Sequence, residues 1–200
     1  NASHLFQGLT SATFPHDEGY NFIQLGRFIE RADKTIRLLD LKYHILLPAA
    51  DDVGGAVDTA QWRAVLRCAS ALEAYRRFYV SEILPWKVSE FLLFSETFPR
   101  SVRHCLGQID LYLRRISGTP VGQHSNEAER LCGRLVSELN YTSIDEVFRK
   151  GLHEFLSQIL PVLDQVGAII FDTFMTHRPV DEVAEVRLHQ QEEQQQQPRV

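Results

Sequence analysis

The sequence predicts an all-α protein, a helical bundle of about six to seven helices with two long antiparallel spine helices. Three observations carry that expectation. A heptad seam of Phe22, Leu25, Ile29, Ala32, Ile36, Leu39, Tyr43 and Leu46 runs through residues 17–47 without interruption. Capping signals recur down the chain, and no segment alternates with period two as a strand would.

The seam defines the first spine helix. Asp17 stands before it as an N-cap in His16-Asp17-Glu18-Gly19, and Pro48 with the Asp51-Asp52-Val53-Gly54-Gly55 linker closes it. A helix of that length must lay its apolar stripe along a partner. A second long helix is read from Asp58, with Gln61 three residues on in capping-box spacing. It turns Trp62, Val65, Leu66, Ala69 and Leu72 inward and runs toward Tyr79.

Pro85 suits the first turn of a short helix ending near Phe94. Phe98-Pro99-Arg100-Ser101 starts the next, whose stripe is Val102, Leu106, Ile109 and Leu113, before Gly118 and Pro120 end it. Asn126 with Glu129 opens a helix burying Ala128, Leu131, Leu135 and Leu139. Ser143 with Glu146 opens the second spine, carrying Val147, Phe155, Ile159, Val166, Ile169 and Phe174 to about Thr176. Pro161 is expected to kink or split it.

The helical domain is therefore placed at residues 1–178. Residues 179–200, with Gln190-Gln191-Glu192-Glu193-Gln194-Gln195-Gln196-Gln197, read as a disordered tail too polar to bury a core.

With 200 residues and 44% hydrophobic content, the chain has material for one self-sufficient core. A formal net charge of -5 gives it no bulk attraction to nucleic acid or an anionic membrane. No run approaches the roughly 20 apolar residues expected of a bilayer span, and no signal peptide is recognisable. Cys68, Cys105 and Cys132 are odd in number and unevenly spaced, which fits free thiols in a reducing compartment. The expected location is the cytoplasm. The chain opens on a helical pattern without an initiating Met, which reads as a fragment of a longer protein.

One polar stripe stands out. At 100° per residue, Gly26, Glu30, Asp33, Arg37, Asp40 and His44 share a flank of the first spine, beside the seam. Two carboxylates one turn apart, with Arg37 within reach and Gly26 allowing close approach, could bind a cationic group, a metal or a basic residue of a partner. The simpler reading is an ion-pair ladder, because Glu30 with Lys34 and Asp33 with Arg37 are acidic-before-basic pairs at i,i+4.

Asp40 with His44 supplies only two ligands. No H-E-x-x-H, E-x-x-H or paired C-x-x-C spacing occurs, so neither metal nor cofactor is expected. Arg31 points away from the seam, as a solvated charge or an interhelical contact. Arg100, at a helix start, is poorly placed for the helix dipole and is expected to pair with a carboxylate across the bundle. No phosphate-cradling loop or nucleophile elbow appears.

Leu25-Gly26-Arg27-Phe28-Ile29-Glu30-Arg31-Ala32-Asp33-Lys34-Thr35, with Leu5-Phe6-Gln7-Gly8 before it and Phe98-Pro99-Arg100-Ser101-Val102 after it, resembles the bacterial alpha-E family, named for its helical Glu-Arg motif. The resemblance spans most of residues 1–176. It implies that this chain is the later portion of a longer protein, with an earlier helical half missing. Seam residues could then be left exposed, or covered by a second copy in a homodimer.

The resemblance also implies a setting of peptide or amide-bond chemistry, since family members are often encoded beside, or fused to, a circularly permuted ATP-grasp protein and a transglutaminase-like protein. Glu30 and Arg31 carry over as the motif pair, with Arg27 and Asp33 beside them, and no catalytic role follows from the resemblance. The leading expectation is an accessory protein that docks on an ATP-grasp-type ligase or presents a peptide to it through the Glu30, Asp33 and Arg37 flank. Two alternatives stay open: an enzyme using the same carboxylates as acid and base, and a purely structural salt-bridge network.

Overall fold

A computed structural model describes residues 2–44, 55–79 and 82–176, with side chains from residue 5 onward and none for residues 43 and 44. The disordered-tail expectation for residues 179–200, and the part of the linker before Gly55, lie outside the described residues.

Among the described residues there are nine helices and no strand: α1 (Ala2–Thr13), α2 (Glu18–His44), α3 (Ala56–Cys68), α4 (Leu72–Phe78), α5 (Pro85–Phe94), α6 (Val102–Ser117), α7 (Glu127–Tyr141), α8 (Ile144–Lys150) and α9 (Leu152–Phe174). The all-α bundle is as the sequence predicts. The greater number of helices arises where two expected helices are each cut in two.

The first cut follows Cys68. Ala69 is αR, Ser70 has φ 53°, and the chain reverses into a Schellman motif in which Ala71 N–H donates to Leu66 O at 2.7 Å and Ser70 N–H to Arg67 O at 2.9 Å. A serine in the left-handed region left no turn signal in the sequence. The helix start also differs, because Gly55, not Asp58, is the N-cap of α3. Asp58 is instead buried and ion-paired.

The second cut falls at Gly151, with φ 101°, and not at Pro161. Proline removes only one i→i−4 bond, and α9 continues through it for 23 residues. A glycine with positive φ ends α8 outright, and a Cβ there would meet Glu154 Oε2 at 1.9 Å.

The remaining start signals operate as read. Tyr20 N–H donates to Asp17 Oδ1 at 3.2 Å, and His16 stacks on Tyr20. Pro85 begins α5. Ser101 Oγ accepts from His104 N–H, and Gly118 ends α6 in the left-handed conformation. Asn126 caps α7, and Ser143 with Glu146 forms a capping box.

α2 is the centre of the bundle, packed against both α6 and α9. The two spines are antiparallel: Phe22 meets Phe174, Arg37 meets Asp164 and Asp40 meets His153, so positions rise on α2 as they fall on α9. The seam residues Leu25, Ala32, Ile36 and Leu39 are buried within this chain, and Phe22 and Ile29 are packed on the core. The expectation that a missing half would leave the seam bare is therefore not met among the described residues. Exposed apolar side chains include Leu5, Phe6 and Leu9 of α1.

α9 also departs from the sequence reading in one respect. By length and composition it is long and apolar enough to cross a bilayer. Its face of Leu152, Phe155, Leu156, Ile159, Leu163, Val166 and Ile170 is buried in the bundle core.

Candidate functional site

Charge on α2 is arranged in two zones. Toward its C-terminal end, each described charged group has a partner of opposite sign. Asp33 Oδ1 accepts from Arg37 Nε at 2.7 Å, and Arg37 Nη2 also stands 3.8 Å from Asp164 of α9. Asp40 Oδ1 lies 2.6 Å from His153 Nδ1. The His153 hydrogen bond to Asp40 raises its pKa above the ordinary value.

Deeper in, Lys42 Nζ donates to Asp58 Oδ1 at 2.8 Å, with both side chains buried, and Lys42 lies 5.3 Å from the Trp62 ring centroid. Sequence reasoning missed this pair. The signal available was a lysine on the seam side of an amphipathic helix, where a lone cation would be too costly to leave unpaired.

Glu30 accepts from Lys34 as the ladder reading expects, and both side chains are exposed. Its pKa is lowered chiefly by that hydrogen bond, with further pull from the charges of Lys34, Arg100 and Arg31. Glu30 and Asp33 are thus each occupied by an i+4 cation. Gly26 is exposed and faces open space, with nothing within 4 Å of where a Cβ would stand. Asp40 faces α9 through His153. The His44 side chain lies outside the described residues. No group of three His, Cys, Asp or Glu able to hold a metal occurs among the described residues.

The N-terminal half of α2 is different, because Arg27 and Arg31 gather there with no carboxylate ion-paired to them. Arg31 is interhelical: Nη2 donates to Gln7 Oε1 of α1 and Nη1 to Pro99 O before α6, each at 3.4 Å. Its pKa is lowered by burial first, and then by the charges of Arg27 and Arg100.

Arg27 Nη1 donates to the buried Gln24 Oε1 at 3.0 Å, while Arg27 Nε is buried with no acceptor. The guanidinium carbons of Arg27 and Arg31 lie 5.6 and 5.5 Å from the Phe28 ring centroid. Arg100 does not meet the expected carboxylate: its side chain makes no hydrogen bond or ion pair among the described residues, and Glu30, the carboxylate whose field it shares, is bound to Lys34. Its carbonyl is fixed by Thr35 Oγ1 at 2.8 Å, which holds the start of α6 against α2.

Cys105, beneath these arginines, offers no counter-charge. Burial pushes its thiol up to about 12 against the pull of Arg31, Arg100 and Arg27. A cleft of about 270 Å³ opens beside the cluster between α1 and α2. It is lined by Gln7, Thr10, Gln24 and Arg27 with the apolar Phe6 and Ile23, and Glu30 borders it.

Of the expected site residues, the structure brings Arg27, Glu30, Arg31 and Arg100 together at one end and Asp33, Arg37 and Asp40 along the α9 side. Gln7, Thr10 and Gln24 were not singled out in the sequence, because uncharged polar residues on amphipathic helices carry no spacing signal.

A family model described as "Alpha-E: A predicted alpha-helical domain with a conserved ER motif" matches residues 1–175. No curated protein and no solved structure matches the chain.

Proposed function

The chain belongs to the Alpha-E family, and on that premise we propose that it is an accessory protein to an ATP-grasp-type amide ligase, acting in peptide synthesis or modification as a docking or substrate-presenting module. The observation that carries this reading is the state of the flank carboxylates. Glu30 is exposed and Asp33 half-buried on α2, each bonded to the cation one turn on. Acid–base catalysis by a pair of carboxylates needs environments that separate their pKa values. A self-neutralised ladder supports recognition between surfaces in preference to proton transfer.

The test is capture of the ligase partner by the full-length protein, comparing wild type with Glu30→Ala and with Glu30→Ala/Asp33→Ala, alongside helicity and melting of each variant. Loss of capture with unchanged melting supports the docking role. Retained capture by an intact double variant overturns it.

A further inference from the structure

We propose that the cleft between α1 and α2 is a carboxylate-binding site, in which Arg27 on its wall takes the free carboxylate of a short peptide or amino acid and Arg31 and Arg100 add their charge from beside it. The inference goes beyond the accessory reading and stands without any ligase partner. Three independent observations converge on it.

The first is the orphaned donor. Arg27 Nε is buried with no acceptor among the described residues, although Nη1 of the same group is held by Gln24 at 3.0 Å. A buried donor without a partner is costly, and native interiors leave few of them. With Nη1 fixed, the donor left without an acceptor is Nε–H, on the side of a guanidinium that pairs with a planar carboxylate through two parallel hydrogen bonds.

The second is uncompensated charge. Arg31 is repelled by Arg27 and Arg100, and its own hydrogen bonds to Gln7 and Pro99 are long, at 3.4 Å. The one carboxylate nearby, Glu30, is engaged by Lys34, and Cys105 stays protonated. Three cations in partly buried surroundings with no anion of their own call for one from outside.

The third is the cavity. Its volume of about 270 Å³ suits a small residue, and Phe6 and Ile23 give it an apolar wall opposite Gln7, Thr10 and Gln24. Glu30 at its border disfavours a dianion more than a monoanion, which selects carboxylate over phosphate. The helix α1 forms one wall, so the site depends on the contact between Gln7 and Arg31 that ties α1 to α2.

The test is titration of the whole chain with N-acetyl-trialanine as free acid, with its C-terminal amide, and with inorganic phosphate. Binding is followed through the Nε–Hε resonances of Arg27 and Arg31 by nitrogen-15 NMR. The free acid should give a saturable shift of Arg27 Nε–Hε, and the amide none. Arg31→Gln should weaken binding at least about tenfold, and Arg31→Lys, which keeps the charge but loses the planar fork, should weaken it less. Melting of both variants establishes that they are folded, and Arg31→Lys alone carries the comparison if Arg31→Gln is not.

Equal binding of acid and amide, a free acid that never shifts Arg27, or saturation by phosphate alone would each overturn the proposal. None of these outcomes touches ligase capture, so the two readings fail separately.

Discussion

The two halves of α2 settle their charges in opposite ways. From Asp33 onward, cation and anion are matched within the helix or across to α9 and α3: Asp33 with Arg37 and Asp164, Asp40 with His153, Lys42 with Asp58. Between Gln24 and Arg31 the positive charge of Arg27 and Arg31 is held by amide and carbonyl oxygens, a phenylalanine ring and one unsatisfied donor. A helix that only had to pack would gain nothing from leaving guanidinium groups short of partners. The matched half reads as architecture and the unmatched half as a binding surface, and the contrast can be broken experimentally in both directions.

The largest effect should come from the matched half. Lys42→Ala removes the cation paired with the buried Asp58, which should cost about 3–5 kcal/mol and lower both the melting temperature and the urea midpoint. The double variant Lys42→Met/Asp58→Leu should recover most of that loss, since a buried ion pair contributes little against well-packed apolar groups. A Lys42→Ala variant as stable as wild type would remove the architectural reading of this half.

The unmatched half should respond with the opposite sign or none. Arg31→Met removes a cation repelled by two neighbours and forfeits two long hydrogen bonds and the contact with the Phe28 ring. Urea unfolding should place it within about 1 kcal/mol of wild type, with a gain more consistent than a loss. A loss as large as that of Lys42→Ala would make Arg31 a structural lock and erase the distinction between the halves.

What the sequence made legible follows from this division. Regular features were readable because their physics is local: the heptad seam, the Asp17, Ser101, Asn126 and Ser143 caps, Pro85 at a first turn and Gly118 at a helix end. The i,i+4 pairs were readable for the same reason. Partners brought by tertiary packing are not, so Asp58 reads as a cap in the sequence and is found paired with Lys42, and the bond from Asp40 to His153 leaves no trace in the spacing of either helix.

The breaks at Ser70 and Gly151 were missed on similar grounds. A serine can enter the left-handed region when a Schellman motif holds it, and Pro161, the more conspicuous breaker, lies where the helix tolerates one lost bond. At the candidate site, the charged members Arg27, Glu30, Arg31 and Arg100 were named in advance. That Arg100 lacks a carboxylate, and that Gln24 and Gln7 hold the arginines in place, required the packed structure.

A pH series probes the α2–α9 contact. The hydrogen bond to Asp40 raises the folded-state pKa of His153 above its ordinary value near 6.5. The stabilisation is therefore fully present below the unfolded-state value and is lost as pH rises through the folded one. Melting temperature should decline from about pH 6.5 upward in wild type and decline less in His153→Gln. Identical slopes would show that the contact does not couple protonation to folding.

The smallest effect belongs to Glu30, and its smallness is what makes it useful. Its bond to Lys34 joins two exposed side chains, 63% and 66% accessible, on one helix face. Such pairs contribute about 0.3–0.5 kcal/mol and weaken with salt. Glu30→Ala should accordingly shift the urea midpoint by little more than experimental error, and 1 M salt should remove even that difference. A collapse of stability would place Glu30 in the structural half of the helix. The small shift would leave the motif glutamate free of a folding role, so that any loss of partner capture by this variant reports on recognition alone.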